Sequence, residues 1–284
     1  MGAIVKGKRV RPRKILLYGE HGVGKSTWAN QAPKPIFIDV EGGLDDIDCD
    51  RTMRVRDWGQ LYAECLFFAE GQHEYKTICI DTLDWAESLL HKMIVDRTND
   101  NKVKSVSDGP LAYGRGHEQA AAEFHKLLTV LDAAIRNMRG VILLGHAKVE
   151  RVEDPGMPAY TRYNIDVHKS IAGMVCEWAD EVLFCNTRIY SAKEETGFNK
   201  TRTIAAGGTE RFIRTSHSAS ATAKNRLGLP DELPMDWHAY AQYIGAHYAT
   251  ATPAAPIETQ PAPLGDGANI GGLVVNGSSK VEVK

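Results

Sequence analysis

An apolar segment that leads directly into a glycine-rich turn is the feature that most restricts the fold of this chain. Residues 14–18 read Lys-Ile-Leu-Leu-Tyr and predict a buried strand, and residues 19–26 continue as Gly-Glu-His-Gly-Val-Gly-Lys-Ser. This octapeptide satisfies the pattern Gly-x-x-x-x-Gly-Lys-Ser/Thr at every fixed position. Ordinary residue usage gives such a match by chance in about one chain in a hundred of this length. A short helix predicted over residues 25–31 completes the strand–turn–helix context that the pattern requires.

Phosphate chemistry explains the residue types of this turn. Glycines let backbone N–H groups converge on phosphate oxygens, and the N-terminus of the next helix adds the positive end of its dipole. Lys25 is expected to reach the β- and γ-phosphates, and the Ser26 hydroxyl is expected to ligate Mg²⁺. We therefore predict that ATP and Mg²⁺ bind here. The residues predicted to surround the nucleotide are Gly19, Glu20, His21, Gly22, Val23, Gly24, Lys25, Ser26 and Thr27.

Strands and helices alternate along the rest of the chain. Most of the predicted strands are continuously apolar, which is typical of a mostly parallel sheet with helices on both faces, so the predicted class is α/β. The further predicted strands are 35–40, 77–81, 141–144, 181–185, 202–204 and 211–213. The further predicted helices are 58–70, 85–96, 116–138 and 169–178.

Composition divides the chain into three parts. Residues 1–13 form a basic arm that is expected to be solvated and mobile. Residues 14–248 carry the predicted α/β core. Residues 249–284 are rich in Ala, Pro, Gly, Thr and Ser and lack aromatic residues, so this tail is expected to be disordered.

Bulk properties exclude several classes of protein. The net charge of −2 excludes a polycation, so any nucleic-acid contact must come from local patches. The five cysteines are odd in number and form no Cys-x-x-Cys pair, which argues against a zinc site or a disulfide framework. No apolar run approaches the roughly 20 residues of a membrane helix, and the N-terminus lacks a signal-peptide pattern. We predict a cytoplasmic protein without a membrane contact.

Three polar residues follow predicted strands at the edge where parallel sheets bind their ligands. Asp81 is predicted to hold the metal ion together with Ser26; its alternative role is to cap the next helix. Glu41 is predicted to orient or deprotonate the attacking water, with Asp39 as the competing candidate and a surface turn as the alternative. His146 is predicted to sense the γ-phosphate, although a purely structural histidine is equally compatible with the sequence.

The order of these motifs resembles the core of RecA-type recombinases, and most closely the short phage-encoded RecA-core ATPases grouped with single-strand annealing proteins. The resemblance covers residues 14–243. It includes the strand end Phe-Ile-Asp-x-Glu, here residues 37–41, and it implies that Glu41 is the catalytic base in preference to Asp39. The family has Asp-Ser where this chain has Asp81 and Thr82. It has a Gln that couples the γ-phosphate to DNA where this chain has His146, so this chain departs from the pattern there.

The resemblance also implies single-stranded DNA as a partner. Two loops of the family bind DNA, and the matching segments are residues 97–117 and 148–169, where cations are interleaved with aromatic residues. The alternative is that both are ordinary polar surface loops. The candidate DNA-binding residues are Lys102, Lys104, Tyr113, Arg115, Arg151 and Arg162. Basic fingers that reach a neighbouring subunit's nucleotide are assigned to Lys224 and Arg226, which implies a homo-oligomer.

These features predict an ATP-hydrolysing phage recombination protein that binds single-stranded DNA and promotes annealing, with a single-stranded DNA-binding protein as a further candidate partner. One alternative is an ATPase that acts through protein partners, such as a helicase loader. Another is a non-enzymatic DNA-binding module that nucleotide merely orders. The chain lacks the N-terminal helical domain and the large C-terminal domain of full-length RecA, so complete strand exchange is not expected.

Overall fold

The computed structural model describes residues 7–195 and 201–249, so the predicted tail lies outside the described residues beyond Ala249. The strands are β1 (Lys14–Gly19), β2 (Pro35–Asp39), β3 (Thr77–Asp81), β4 (Gly140–Asp154), β5 (Met157–Ile165), β6 (Glu181–Glu195), β7 (Thr201–Arg214) and β8 (Glu232–Pro234). The helices are α1 (Lys25–Ala29), α2 (Trp58–Glu70), α3 (Leu83–Asp96), α4 (Arg115–Arg136), α5 (Lys169–Trp178) and α6 (Trp237–Ala249). A 3₁₀ turn spans Gly109–Leu111.

All eight strands belong to one sheet, with the order β2-β3-β4-β1-β6-β7-β8 and with β5 paired to β4. Neighbours from β2 to β6 run parallel, whereas β5, β7 and β8 pair antiparallel. The predicted α/β class with a mostly parallel sheet is therefore confirmed. The glycine-rich turn leaves the carboxyl end of β1, between β4 and β6, at the edge where β2 and β3 also end.

Alternate side chains of the parallel strands face opposite layers of helices. Leu16 and Tyr18 of β1 pack in a cluster with buried residues of α2, α3, α4 and α5. Ile15 and Leu17 pack on the other side with α1 and α6, where Trp28 contributes a side chain that is only 1% exposed. The predicted helices on both faces are thus present. No helix among the described residues is both long and apolar enough to cross a membrane.

Several strands are longer than the sequence predicted. β4 continues to Asp154 and forms an antiparallel hairpin with β5, so much of the segment 148–169 is strand rather than loop. The predicted strands 202–204 and 211–213 are parts of the single strand β7. The predictions were short because they followed continuous apolar runs, whereas the distal parts of these strands contain many polar side chains.

The end of the basic arm is part of the core, contrary to the prediction of a solvated segment. Arg11 binds Asp180 through two hydrogen bonds of 2.8 and 2.7 Å. Arg13 is only 8% exposed and pairs with Glu181. The physical reason is that Asp180 and Glu181, just before and at the start of β6, are both 0% exposed and require cationic partners.

Candidate nucleotide-binding site

The backbone of the glycine-rich loop, residues 19–26, has the shape of a phosphate cradle. Gly22 and Gly24 have φ values of +70° and +103°, which L side chains rarely adopt. Gly19 lies against β6, and a Cβ atom there would lie 2.3 Å from the carbonyl oxygen of Cys185. All three positions need glycine for backbone reasons, and Gly19 and Gly24 occupy the fixed glycine positions of the motif.

Lys25 is buried inside this loop with its amine turned back onto the loop backbone. Its Nζ donates to the carbonyl oxygens of Gly19 and Glu20, at 3.2 and 2.9 Å. Burial lowers the pKa of Lys25, and nearby acidic groups, including Cys185 and Asp81, oppose that shift. Of the free positions in the loop, Val23 is only 3% exposed and packs in the α1–α6 layer, so it serves the core.

Ser26 and Asp81 meet where the metal was predicted. The Ser26 hydroxyl donates to Asp81 Oδ2 at 2.6 Å, with Asp81 only 5% exposed. Burial raises the pKa of Asp81 to about 6, a shift that the hydrogen bond from Ser26 opposes and the charge of Glu41 reinforces. The N-cap of α3 is Thr82 rather than Asp81. This pair of oxygen donors suits Mg²⁺, which takes oxygen ligands.

The structure separates the two candidates for the catalytic base. Asp39 is 5% exposed, and its Oδ1 accepts the backbone N–H of Gly42 at 2.6 Å, so its carboxylate holds the turn after β2. Glu41 lines the cleft instead, and its Oε2 accepts the Thr82 hydroxyl at 3.2 Å. The backbone N–H of Glu41 donates to the carbonyl oxygen of Asp81, which holds Glu41 beside the predicted metal ligand.

His146 lies beside Gly19 in the sheet register and is held by Asp84 of α3. Its Nδ1 is 2.9 Å from Asp84 Oδ2, and its backbone N–H donates to Asp84 Oδ1 at 3.2 Å. Burial opposes ionisation of Asp84, but the interaction with His146, together with hydrogen bonds from its own backbone and from Thr82, lowers the pKa of this carboxyl overall. The His146 ring stacks on His21 at a centroid distance of 3.7 Å, and its Nε2 is 3.9 Å from Glu41 Oε2. Asp84 was not among the predicted site residues.

Arg211 is a second site residue that the sequence did not identify. It lines the same cleft of about 280 Å³ as Lys25, Glu41 and His146. A Cβ atom at Gly24 would lie 3.0 Å from its Nη1, which places the guanidinium over the loop. β7 brings it there by pairing Arg211 with a residue of β6 just past the sheet edge. This placement depends on the pairing of β6 with β7, which no local sequence motif predicts.

Lys224 and Arg226 lie far from their own chain's cleft, near the start of β6. Lys224 Nζ donates to the carbonyl oxygens of Cys176, Glu177 and Ala179 at the end of α5. Arg226 is more exposed and contacts Asp180 at 3.4 Å. Residues at the amino end of β6 are at the opposite sheet edge from the loop, so a contact with nucleotide requires a neighbouring subunit.

The candidate DNA-binding residues occupy two separate surfaces. Lys102, Lys104, Tyr113 and Arg115 are exposed on the segment before and at the start of α4, and Tyr113 is 97% exposed. In the β4–β5 hairpin Arg151 is exposed. Arg162 of the hairpin is half-buried and stacks over the ring of Tyr160 at 5.3 Å. A stacked contact joins the two segments near their ends, between His117 and His168 with centroids 3.8 Å apart.

Comparison with known proteins agrees with this geometry. Residues 11–227 match a family model described as an AAA domain. The chain is also 22% identical over 215 residues to the SPbeta prophage-derived uncharacterized protein YorG of Bacillus subtilis (strain 168), an alignment that covers 74% of this chain and 61% of that protein. It thus spans about three fifths of that relative's length. Because the family model covers well over half of the residues, the chain belongs to the AAA domain family, an ATPase family whose members bind nucleotides.

Proposed function

We propose that this chain hydrolyses ATP in the cleft between the glycine-rich loop and the carboxyl ends of β2, β3 and β4. The observation that carries the proposal is the 2.6 Å contact of Ser26 with Asp81, beside the buried Lys25 and with Glu41 at the cleft wall. Phosphoryl transfer to water requires a hydroxyl and a carboxylate for the metal, an amine for the phosphates and a second carboxylate near the attacking water.

Each side chain has a separate task in this proposal. The Lys25 amine exchanges its two carbonyl partners for phosphate oxygens, which are better acceptors for a cation. Ser26 and Asp81 hold Mg²⁺, which neutralises phosphate charge when bound. Glu41 takes the proton of the attacking water, since its carboxylate lines the cleft. Arg211 stabilises the charge that develops on the transferred group.

We further propose that the protein is a phage recombination ATPase that binds single-stranded DNA and promotes annealing in the host cytoplasm. The resemblance to RecA-core annealing ATPases and the similarity to a prophage-derived protein support this proposal. Support also comes from β4, because one continuous strand carries His146 in the cleft and Arg151 in the hairpin. A displacement of the hairpin by DNA would be transmitted to His146 along this strand.

A homo-oligomer accompanies the proposal. Lys224 and Arg226 lie at the edge opposite their own cleft, which suits residues that act on a neighbouring subunit's nucleotide. Lys224 would have to leave three carbonyl oxygens to do so, whereas Arg226 has one long contact with Asp180. Arg226 is therefore the better candidate of the two.

The test is ATP turnover with and without single-stranded DNA, for the wild type and for Lys25→Ala. We expect turnover that DNA stimulates in the wild type and that is lost in the variant. A salt titration of DNA binding should show affinity falling as salt rises, because basic side chains release counterions from phosphates. Turnover that DNA leaves unchanged, together with no DNA binding, would reject the DNA-linked function and favour an ATPase that acts through protein partners.

A further inference from the structure

Two imidazoles and one carboxylate converge at the mouth of the cleft. His21 comes from the glycine-rich loop, Glu41 from the turn after β2, and His146 from β4. One ligand atom from each side chain lies within 4.8 Å of the others. We propose that these three residues bind a divalent transition metal of the Zn²⁺ type, at a site separate from the Mg²⁺ position at Ser26 and Asp81.

The orientation of His146 is the first argument. Asp84 accepts the Nδ1–H of His146 at 2.9 Å and also holds the backbone N–H of the same residue. Histidines that ligate metals almost always donate their other ring N–H to a carboxylate or carbonyl in this way. In this tautomer the lone pair of Nε2 faces the cleft, so His146 is already oriented as a ligand.

The distance between His146 and Glu41 is the second argument. Nε2 and Oε2 lie 3.9 Å apart, too far for a hydrogen bond, and both atoms are acceptors when the imidazole is neutral. Bonds from zinc to nitrogen and oxygen are each about 2.0–2.2 Å, so one ion spans this gap, and a closure of about 0.5 Å gives tetrahedral spacing. A cation between the two atoms would remove their mutual repulsion.

His21 completes the set from the solvent side. It is exposed and stacks on His146 at 3.7 Å with an interplanar angle of 24°, so a rotation of its ring is needed to aim a nitrogen at the ion. Two imidazoles and a carboxylate select Zn²⁺, Co²⁺ or Ni²⁺ over Mg²⁺, which prefers oxygen ligands. Three protein ligands leave a fourth position for water or a phosphate oxygen.

The site has a consequence for turnover, and this part rests on the proposed role of Glu41. A carboxylate bound to a metal ion is a poor proton acceptor, because the cation stabilises its negative charge. Zn²⁺ at this site would therefore inhibit ATP hydrolysis even when Mg²⁺ is saturating. The same three side chains would thus make ATP hydrolysis sensitive to inhibition by a transition metal.

The binding test uses the full chain without nucleotide and Co²⁺ as a spectroscopic probe. We expect one Co²⁺ per chain with the visible absorption of a histidine-ligated ion. His21→Ala should bind Co²⁺ at least tenfold more weakly, and it should fold normally because the His21 side chain is exposed. Glu41→Gln should also bind more weakly. His217→Ala, which removes another exposed histidine, should bind as the wild type does. Equal affinity in wild type and His21→Ala, or no binding in the wild type, would overturn the site.

Two further measurements separate this proposal from the proposed function. Lys25→Ala should lose ATP turnover but keep Co²⁺ binding, because its amine is not one of the three ligands. Loss of Co²⁺ binding in Lys25→Ala with the fold intact would contradict the assignment. Added Zn²⁺ should lower the ATP turnover of the wild type in saturating Mg²⁺. Unchanged turnover at Zn²⁺ concentrations that fill the site would overturn the inhibitory role.

Discussion

Removal of Arg13 should destabilise the fold strongly, although the residue lies at the end of a basic arm. Its guanidinium is 8% exposed and pairs in bidentate fashion with Glu181, donating from Nε to Oε2 at 3.1 Å and from Nη2 to Oε1. Glu181 is 0% exposed, and the Tyr240 hydroxyl, an uncharged group, also donates to its Oε2 at 3.1 Å. Arg13→Ala would therefore leave a buried carboxylate without its countercharge.

The expected cost is about 3–5 kcal/mol, the range measured when one member of a buried ion pair is removed. Burial already raises the pKa of Glu181, with Arg13 opposing the shift, so loss of Arg13 should raise it further. For a domain of this size each kcal/mol shifts the melting temperature by about 2–4 °C, which predicts a drop of about 6–20 °C. The deficit should narrow at acid pH, where Glu181 takes up a proton and no longer needs a cation.

Urea denaturation followed by circular dichroism measures this loss directly. Arg9→Ala is the matched control, because it removes the same charge from an exposed position and should change stability by less than about 0.5 kcal/mol. The double variant Arg13→Met, Glu181→Leu should be more stable than Arg13→Ala, since it removes both charges. The reasoning is refuted if Arg13→Ala costs no more than Arg9→Ala.

Three more predictions concern His91, Arg211 and Asp84. Burial lowers the pKa of His91 to about 4, so between about pH 6.5 and 4 the unfolded chain binds a proton that the folded chain does not. As the pH falls through that window, the free energy of unfolding should decrease by about 2 kcal/mol, a value reduced to allow for solvent screening of a side chain that is 25% exposed. In urea denaturation at several pH values, His91→Gln should show a smaller decrease than the wild type. Arg211→Ala should lower ATP turnover about 10²–10³-fold, and turnover within a factor of two of wild type would contradict its proposed role. Asp84→Asn should weaken Co²⁺ binding about 10–100-fold in spectroscopic titration, because His146 loses its orienting carboxylate; unchanged affinity would count against the orientation of His146 as an argument for the site.

Local sequence patterns predicted the parts of the fold that depend on local chemistry. The helices at 58–70 and 169–178 and the strand at 77–81 have the predicted bounds, because apolar spacing and flanking turn residues determine them. The glycine-rich loop carries its own backbone requirements at Gly22 and Gly24, so its conformation was also predictable.

Features that depend on tertiary pairing could not be predicted in this way. Arg211 reaches the cleft only because β7 pairs with β6, and Asp84 reaches His146 only because α3 packs beside β4. The resemblance already favoured Glu41 over Asp39 as the base, and the hydrogen bond from Gly42 to Asp39 adds a structural reason that the residues alone do not give. Arg13 and Glu181 are 168 positions apart in the sequence, so the local sequence around Arg13 indicates only a basic arm.

The central claim is that Glu41 is the base of an ATP-hydrolysing cleft, and ATP binding and single-turnover hydrolysis of Glu41→Gln test it most directly. Glutamine keeps the shape of the side chain and removes its basicity. We predict ATP binding within a few-fold of wild type and hydrolysis reduced by about 10²–10⁴, the usual contribution of a general base. Hydrolysis by Glu41→Gln at the wild-type rate would contradict the account.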